Sequence, residues 1–284
     1  MDGKVNSDTN QKLRPPTPSS HESPQGVCDS IMPHLHARCA TLARVVEAYL
    51  QDLPTPTRPI PVIITFDGGG FRGIKYIGGI AMLRGLIRRK IIVVKHVSAS
   101  SIGVAAGLCL LQNIETAGML QLLVMAGQKH VNHATAIMRT WMDTNLDPDI
   151  VTQLQERLTI KFHAISLTPP FLRAIHQSQF ANKADLIDSI VASGSIPGLT
   201  RPVRSCWSTT KQRFVVDGWS ISSAMTNRLR KQHGPDTRVL TLDTNDTNGD
   251  RFALKTQVFD RAFIDGILQV LEQTRGFLPL PANL

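Results

Sequence analysis

The sequence predicts an α/β fold, a sandwich with a mostly parallel central sheet. Three observations carry that expectation. Short apolar runs (Val62–Phe66, Ile91–Val97, Phe162–Leu167, Thr237–Leu242) alternate with longer stretches of helical apolar spacing. The first two runs lead through glycine- or serine-rich turns into helix patterns, as parallel crossovers require. Finally, 42% of the 284 residues are hydrophobic, enough for one sizeable core.

Taken in order, residues 1–26 are polar, with Pro15, Pro16, Pro18 and several serines, and read as a disordered tail without a secretion signal. From Ser30 to Leu50, Ile31, Leu35, Leu42, Val45, Val46 and Tyr49 recur at helical spacing, with Pro33 in the tolerant first turn. Pro54 to Pro61 is a stiff linker, so 27–60 form an N-terminal helix and linker and the main domain runs over 61–284. Val62–Phe66 is a strand, and Arg72–Lys90 a helix presenting Tyr76, Ile80, Leu83 and Leu86. Ile91–Val97 is a buried strand, followed after a serine turn by an apolar helix to Leu111. Helices are expected over 115–127, 132–143 and 147–158, a strand over Phe162–Leu167 and a helix over Ala184–Ser193. Strands at Arg213–Val216 and Thr237–Leu242 and a helix at Asp260–Arg275 complete the chain.

Composition narrows the partners. Lys and Arg number 31 against 22 acidic residues, a net charge of +9 that suits an anionic surface. Two Tyr and three Trp supply no stacking platform for single-stranded nucleic acid, so nucleic acid is not expected as a partner. Cys28, Cys39, Cys109 and Cys206 lie far apart without CxxC spacing. That pattern predicts neither a metal site nor a disulfide scaffold, and fits a reducing, cytoplasmic setting. The longest apolar stretches, such as Ile102–Leu111, are about half of what a bilayer crossing needs. An intracellular protein without a transmembrane segment is expected, with association to a membrane or lipid surface left open. Oligomeric state is not legible.

Asp67-Gly68-Gly69-Gly70-Phe71-Arg72-Gly73 matches G-x-G-x-x-G between a strand and a helix. A dinucleotide site would also want an acidic residue at the end of the second strand, yet none occurs between Gly68 and Asn113. No GK[ST] follows either, which excludes a P-loop. The remaining use of this geometry is an oxyanion hole: glycines let the backbone approach a substrate, and N–H groups at a helix start aim at developing negative charge. Gly68, Gly69, Gly70, Phe71, Arg72 and Gly73 are its candidates, with Arg72 a further donor or a brace.

Ala99-Ser100-Ser101-Ile102-Gly103 then fits the nucleophile elbow G-x-S-x-G, with Ala99 and Gly103 as its small flanks. In that register Ser101 is the nucleophile, and Ser98 and Ser100 are bystanders. None of the nine histidines sits in a neighbourhood that marks a triad member. Asp217, delivered by Phe214-Val215-Val216 and followed by Gly218, is the candidate base, although Asp-Gly is also the commonest hairpin turn. Asp243 is a rival carboxylate. An aspartate with an ordinary pKa of about 4 is a feeble base, so its basicity must be raised by desolvation.

Together these residues resemble the patatin-like phospholipase family. The Gly loop, the Ser101 elbow and Asp217-Gly218 stand in that family's order. Ala184 to Gly198, with Ser195-Ile196-Pro197, is similar to the helix and turn that precede its Asp strand. Ile165–Thr168 and the Phe180–Asp185 region are similar to the animal neutral-lipid lipase branch, and the resemblance spans about Val62 to Ser223. It implies a three-layer α/β/α fold, a Ser101–Asp217 dyad without His, and hydrolysis of acyl lipids, phospholipid or neutral glyceride, through an acyl-enzyme. It implies no metal or organic cofactor. Ala99 and Trp219 depart from the family's pattern, leaving as alternatives a catalytically weak lipid- or membrane-binding relative and an acyltransferase. The apolar stretches within 114–142 and 167–172 are either core or the lipid's approach to Ser101.

Overall fold

The computed structural model describes residues 24–128, 133–219, 221, 223–245 and 259–278. Its elements in chain order are α1 (Pro24–Gln51), β1 (Ile60–Phe66), α2 (Lys75–Arg88), β2 (Ile92–Ser100), α3 (Ile102–Gln112), α4 (Thr116–Gln128), α5 (Ala134–Asn145) and α6 (Ile150–Leu154). There follow β3 (Leu158–Ile165), β4 (Leu172–Gln177), α7 (Lys183–Ser193), β5 (Trp207–Ser208), β6 (Arg213–Val216), α8 (Ser223–His233), β7 (Arg238–Leu242) and α9 (Phe259–Thr274). Short 3₁₀ turns cover Gly70–Ile74 and Val203–Cys206.

The strands form one sheet in the order β5-β6-β3-β2-β1-β7, with β4 on the other edge of β3. β3, β2, β1 and β7 run parallel; β4 and β6 are antiparallel to β3. The fold is a three-layer α/β/α sandwich. Alternation along β1 decides its two faces. Val62, Ile64 and Phe66 enter the main core with the buried residues of α2, α3 and α9, whereas Ile63 points the other way and meets Met225 and Leu229 of α8. On the main side α2 packs against α9, and α1 lies across α2 and α4.

Several boundaries differ from the sequence expectation. The tail expected over 1–26 lies outside the described residues up to 23, and its last three residues belong to α1. Pro33 therefore sits inside a helix instead of in its first turn, on an exposed face. The helix expected over 147–158 shrinks to α6, because the chain enters β3 at Leu158 and β3 ends at Ile165 rather than at Leu167. β2 runs on to Ser100, directly to the elbow. β4 and α8 were not anticipated at all. Cys39, Cys109 and Cys206 are buried free thiols, and no described helix is long and apolar enough to cross a membrane.

Candidate active site

The sheet brings Ser101 and Asp217 together by an arrangement of strand ends. β4 occupies one edge of β3 along Ile160–Ile165, so β2 and β6 must share the other edge. β2 runs along that edge and stops at Ser100, opposite Lys161. β6 comes the opposite way and stops at Val216, opposite His163. The two ends face each other across the level of Phe162, and the next residue of each strand is Ser101 and Asp217.

Ser101 has the strained backbone of an elbow, φ 54° and ψ −131°, and begins α3. Its N–H donates to Ser193 Oγ at 2.7 Å, and Ser193 Oγ donates to the Lys161 carbonyl at 2.5 Å. Ala99, in place of the first elbow glycine, is fully buried in β2 and leaves this geometry intact.

Asp217 is 3% exposed. Its own N–H donates to the Ser195 carbonyl at 2.7 Å, and its Oδ1 accepts the Trp219 N–H at 2.5 Å. Burial pushes its carboxyl above the usual carboxylate range; the hydrogen bond from the Ser101 hydroxyl, the Trp219 N–H and the charges of His163 and Lys161 oppose that rise. Asp217-Gly218 is thus no hairpin turn. Gly218 is required because a Cβ there would stand 2.2 Å from the Lys161 carbonyl oxygen. The rival Asp243 uses its carboxylate on the Asn245 N–H at 3.0 Å.

Trp219 ties the pieces together through its backbone. With φ 52°, its carbonyl accepts both the Gly68 N–H at 2.6 Å and the Ser100 hydroxyl at 3.0 Å. Ser100 is consequently structural and no bystander; Ser98 Oγ is buried and has no partner among the described residues. Gly68 approaches so closely that a Cβ would lie 2.3 Å from that carbonyl oxygen. Its N–H is thereby consumed, whereas the described residues supply no acceptor for the N–H groups of Gly69 and Gly70.

A cavity of about 500 Å³ opens from this point. Ser101, Asp217, Trp219 and Gly68 to Phe71 line one end; Leu122, Leu123 and Ala126 of α4 and Ala134 and Met138 of α5 line the other. Arg72 and Gly73 are not among its walls. Within the expected stretch 114–142, the described residues of α4 and α5 therefore serve as core and as cavity wall at once.

Two basic residues beside Asp217, Lys161 and His163, carry no local sequence signal of their own. Lys161 is buried beside Asp67 and Asp217; burial draws its ammonium down and the two carboxylates hold it up. Asp67, raised mainly by burial, accepts the Ile221 N–H at 2.7 Å and so anchors the segment after Asp217. His163 donates from Nδ1 to the Asp217 carbonyl at 2.8 Å, and its ring centre lies 5.1 Å from that of Trp219. Only strand alternation, placing positions 161 and 163 on one face, offered a signal for either. Among the described residues no group of three His, Cys, Asp or Glu side chains forms a metal cage.

A family model described as patatin-like phospholipase matches residues 64–219, more than half of the chain. The chain belongs to the patatin-like phospholipase family. At the level of that family it is a lipid hydrolase. Among solved structures it is similar to VipD from Legionella pneumophila, with 10% identity and a TM-score of 0.45, over 79% of this chain and 70% of that one. No curated protein matches.

Proposed function

We propose that this chain hydrolyses acyl esters of lipids through a Ser101–Asp217 dyad. The observation that carries the reading is the meeting of the two strand ends: it supports Ser101 as nucleophile beside the buried Asp217 carboxylate, both of them lining one largely apolar cavity.

In the first half-reaction Ser101 Oγ attacks the ester carbonyl carbon while its proton passes to the Asp217 carboxylate. The carbonyl electron pair becomes an oxyanion, held by the N–H groups of Gly69 and Gly70. Collapse breaks the bond to the alcohol, which leaves with the proton from Asp217, and the acyl group stays on Ser101. Water then attacks the acyl-enzyme, gives its proton to Asp217, and the acid departs as the proton returns to Ser101. Desolvation makes Asp217 a better base than an ordinary aspartate, and no imidazole is needed. The acyl chain lies along Leu122, Leu123 and Met138, while Trp219 borders the entrance.

Labelling with a fluorophosphonate probe tests this reading. Wild type is expected to label, and Ser101→Ala and Asp217→Ala to lose labelling and ester turnover together. Equal labelling in all three would sink the dyad. Product analysis with a glycerol acceptor present distinguishes hydrolysis from acyl transfer.

A further inference from the structure

The β3–β4 hairpin rises past Ser101. Ser100 lies opposite Lys161, and β3 continues four residues to Ile165, roughly 13 Å at the usual strand rise. The chain turns there and returns from Leu172, the register partner of Ile165, with the Ser166 N–H bonded to the Phe171 carbonyl at 2.9 Å. At the tip Leu167 is 97% exposed and Phe171 62%.

The apolar surface continues from the tip towards the cavity. Ile165 and Leu172 are exposed on the same sheet face as His163, against whose ring the half-exposed Trp219 rests. The pair Ala164↔Val215 puts Phe214 next to Ile165, and Phe214 packs edge-on against Trp207 at 5.2 Å. On this face α8 packs over β1 and β7 and sets His233 against His96 of β2, while Ile165, Leu172 and Phe214, towards the tip, stay exposed. Single exposed apolar side chains are ordinary, but a continuous set leading to an active-site mouth marks an interaction surface.

Charge selects the occupant. No acidic residue occurs between Glu156 and Asp185, or between Asp188 and Asp217, the segments that build this surface. Exposed Arg173 pairs with Ala164 inside the hairpin, and exposed Arg213 adjoins Phe214. Apolar side chains at a projecting tip, with two arginines alternating to the other face of the same strands and no acidic residue in these segments, fit the acyl and phosphate zones of an anionic bilayer.

We propose that the β3–β4 tip, backed by Phe214 and Trp219, is the face by which this protein docks on an anionic phospholipid surface. The proposal takes its purpose, though not its geometry, from the lipid-ester reading above. Docking there sets the cavity mouth beside Trp219 against the lipid.

The test uses full-length protein carrying Ser101→Ala, so that lipid is not consumed, and flotation on phosphatidylcholine vesicles with or without about 30% phosphatidylserine. Binding to the mixed vesicles is expected, at least about tenfold weaker on phosphatidylcholine alone, with emission of Trp207 and Trp219 quenched by brominated lipid. Leu167→Glu with Phe171→Glu is expected to weaken binding by about tenfold or more, while otherwise wild-type protein with these two changes keeps its turnover of a soluble short-chain ester. If the double variant fails to fold, Leu167→Ser carries the same comparison. Undiminished flotation of the tip variants overturns the proposal, as does a dimer that Phe171→Glu dissociates and that does not bind vesicles. Flotation without any ester turnover leaves docking standing and removes the dyad reading instead.

Discussion

The backbone N–H of Ser101 is held at 2.7 Å by the hydroxyl of Ser193, the last residue of α7, which itself donates to the carbonyl of Lys161. One fully buried hydroxyl thus pins the elbow of β2 to β3. A non-glycine residue at positive φ costs on the order of 1–3 kcal/mol, and it persists only where the surroundings over-determine it. Ser193 is part of what does so.

Ser193→Ala removes the acceptor for one buried N–H and the donor to one buried carbonyl. A loss of about 1–3 kcal/mol is expected, lowering Tm by roughly 2–4 °C for each kcal/mol in a chain of this size. Because the elbow relaxes, kcat on a soluble ester falls by about tenfold or more with little change in KM. A thermal melt beside steady-state kinetics checks both; unchanged kcat at lowered Tm would make Ser193 purely structural.

The pH–rate profile reports Asp217. In the proposed dyad the base works ionised, so the rate is expected to rise with pH through its raised pKa, with the acid limb above the ordinary aspartate value. The Lys161 ammonium counters that rise. Lys161→Met, similar in volume, therefore moves the acid limb to higher pH; a limb that stays put or moves down would show that Lys161 does not act on Asp217.

Asp217→Asn is expected to inactivate the protein and stabilise it. A carboxyl whose folded pKa is raised above the unfolded value favours the fold at low pH, and that advantage is lost as pH rises through the folded pKa. At neutral pH the buried charge is a burden of about 1.4 kcal/mol for every unit of upward shift. Asparagine keeps an acceptor for the Trp219 N–H without the charge. Its Tm should exceed wild type at pH 7, with the difference shrinking towards pH 4; a lower Tm at pH 7 would contradict this account.

Met138→Trp fills the apolar end of the cavity, next to Leu122 and Leu123. Overpacking costs about 1–3 kcal/mol of stability. Turnover of long-chain esters is expected to fall by about tenfold or more relative to a short-chain ester. Equal losses on both would place the acyl chain elsewhere.

The Gly loop, Ser101 and Asp217 were legible because each follows a buried apolar run and needs small neighbours, a local requirement written in adjacent residues. β4 was not legible: Leu172-Arg-Ala-Ile-His-Gln177 has no clean alternation, and its strand form comes from pairing with β3. α8 buries only Met225 and Leu229, too few apolar positions to outweigh its basic, polar remainder. Lys161, Ser193 and Ser100 gain their roles from contacts far apart in the chain, which no local pattern announces. Trp219 departs from the family's pattern by its bulky side chain after Asp-Gly, whereas it is its carbonyl that holds Gly68 and Ser100.

That carbonyl has a thermodynamic corollary. Gly68 lies in the glycine loop and Ser100 at the end of β2, yet both donate to the same oxygen of Trp219. Once either substitution has displaced the acceptor, the second has less left to break. Double-mutant cycles between the glycine loop and the end of β2 should show coupling of about 0.5–3 kcal/mol through the shared acceptor. Under random mutagenesis these segments will tolerate change jointly or not at all, which makes the peptide at Trp219 the unit on which variation in this site is filtered.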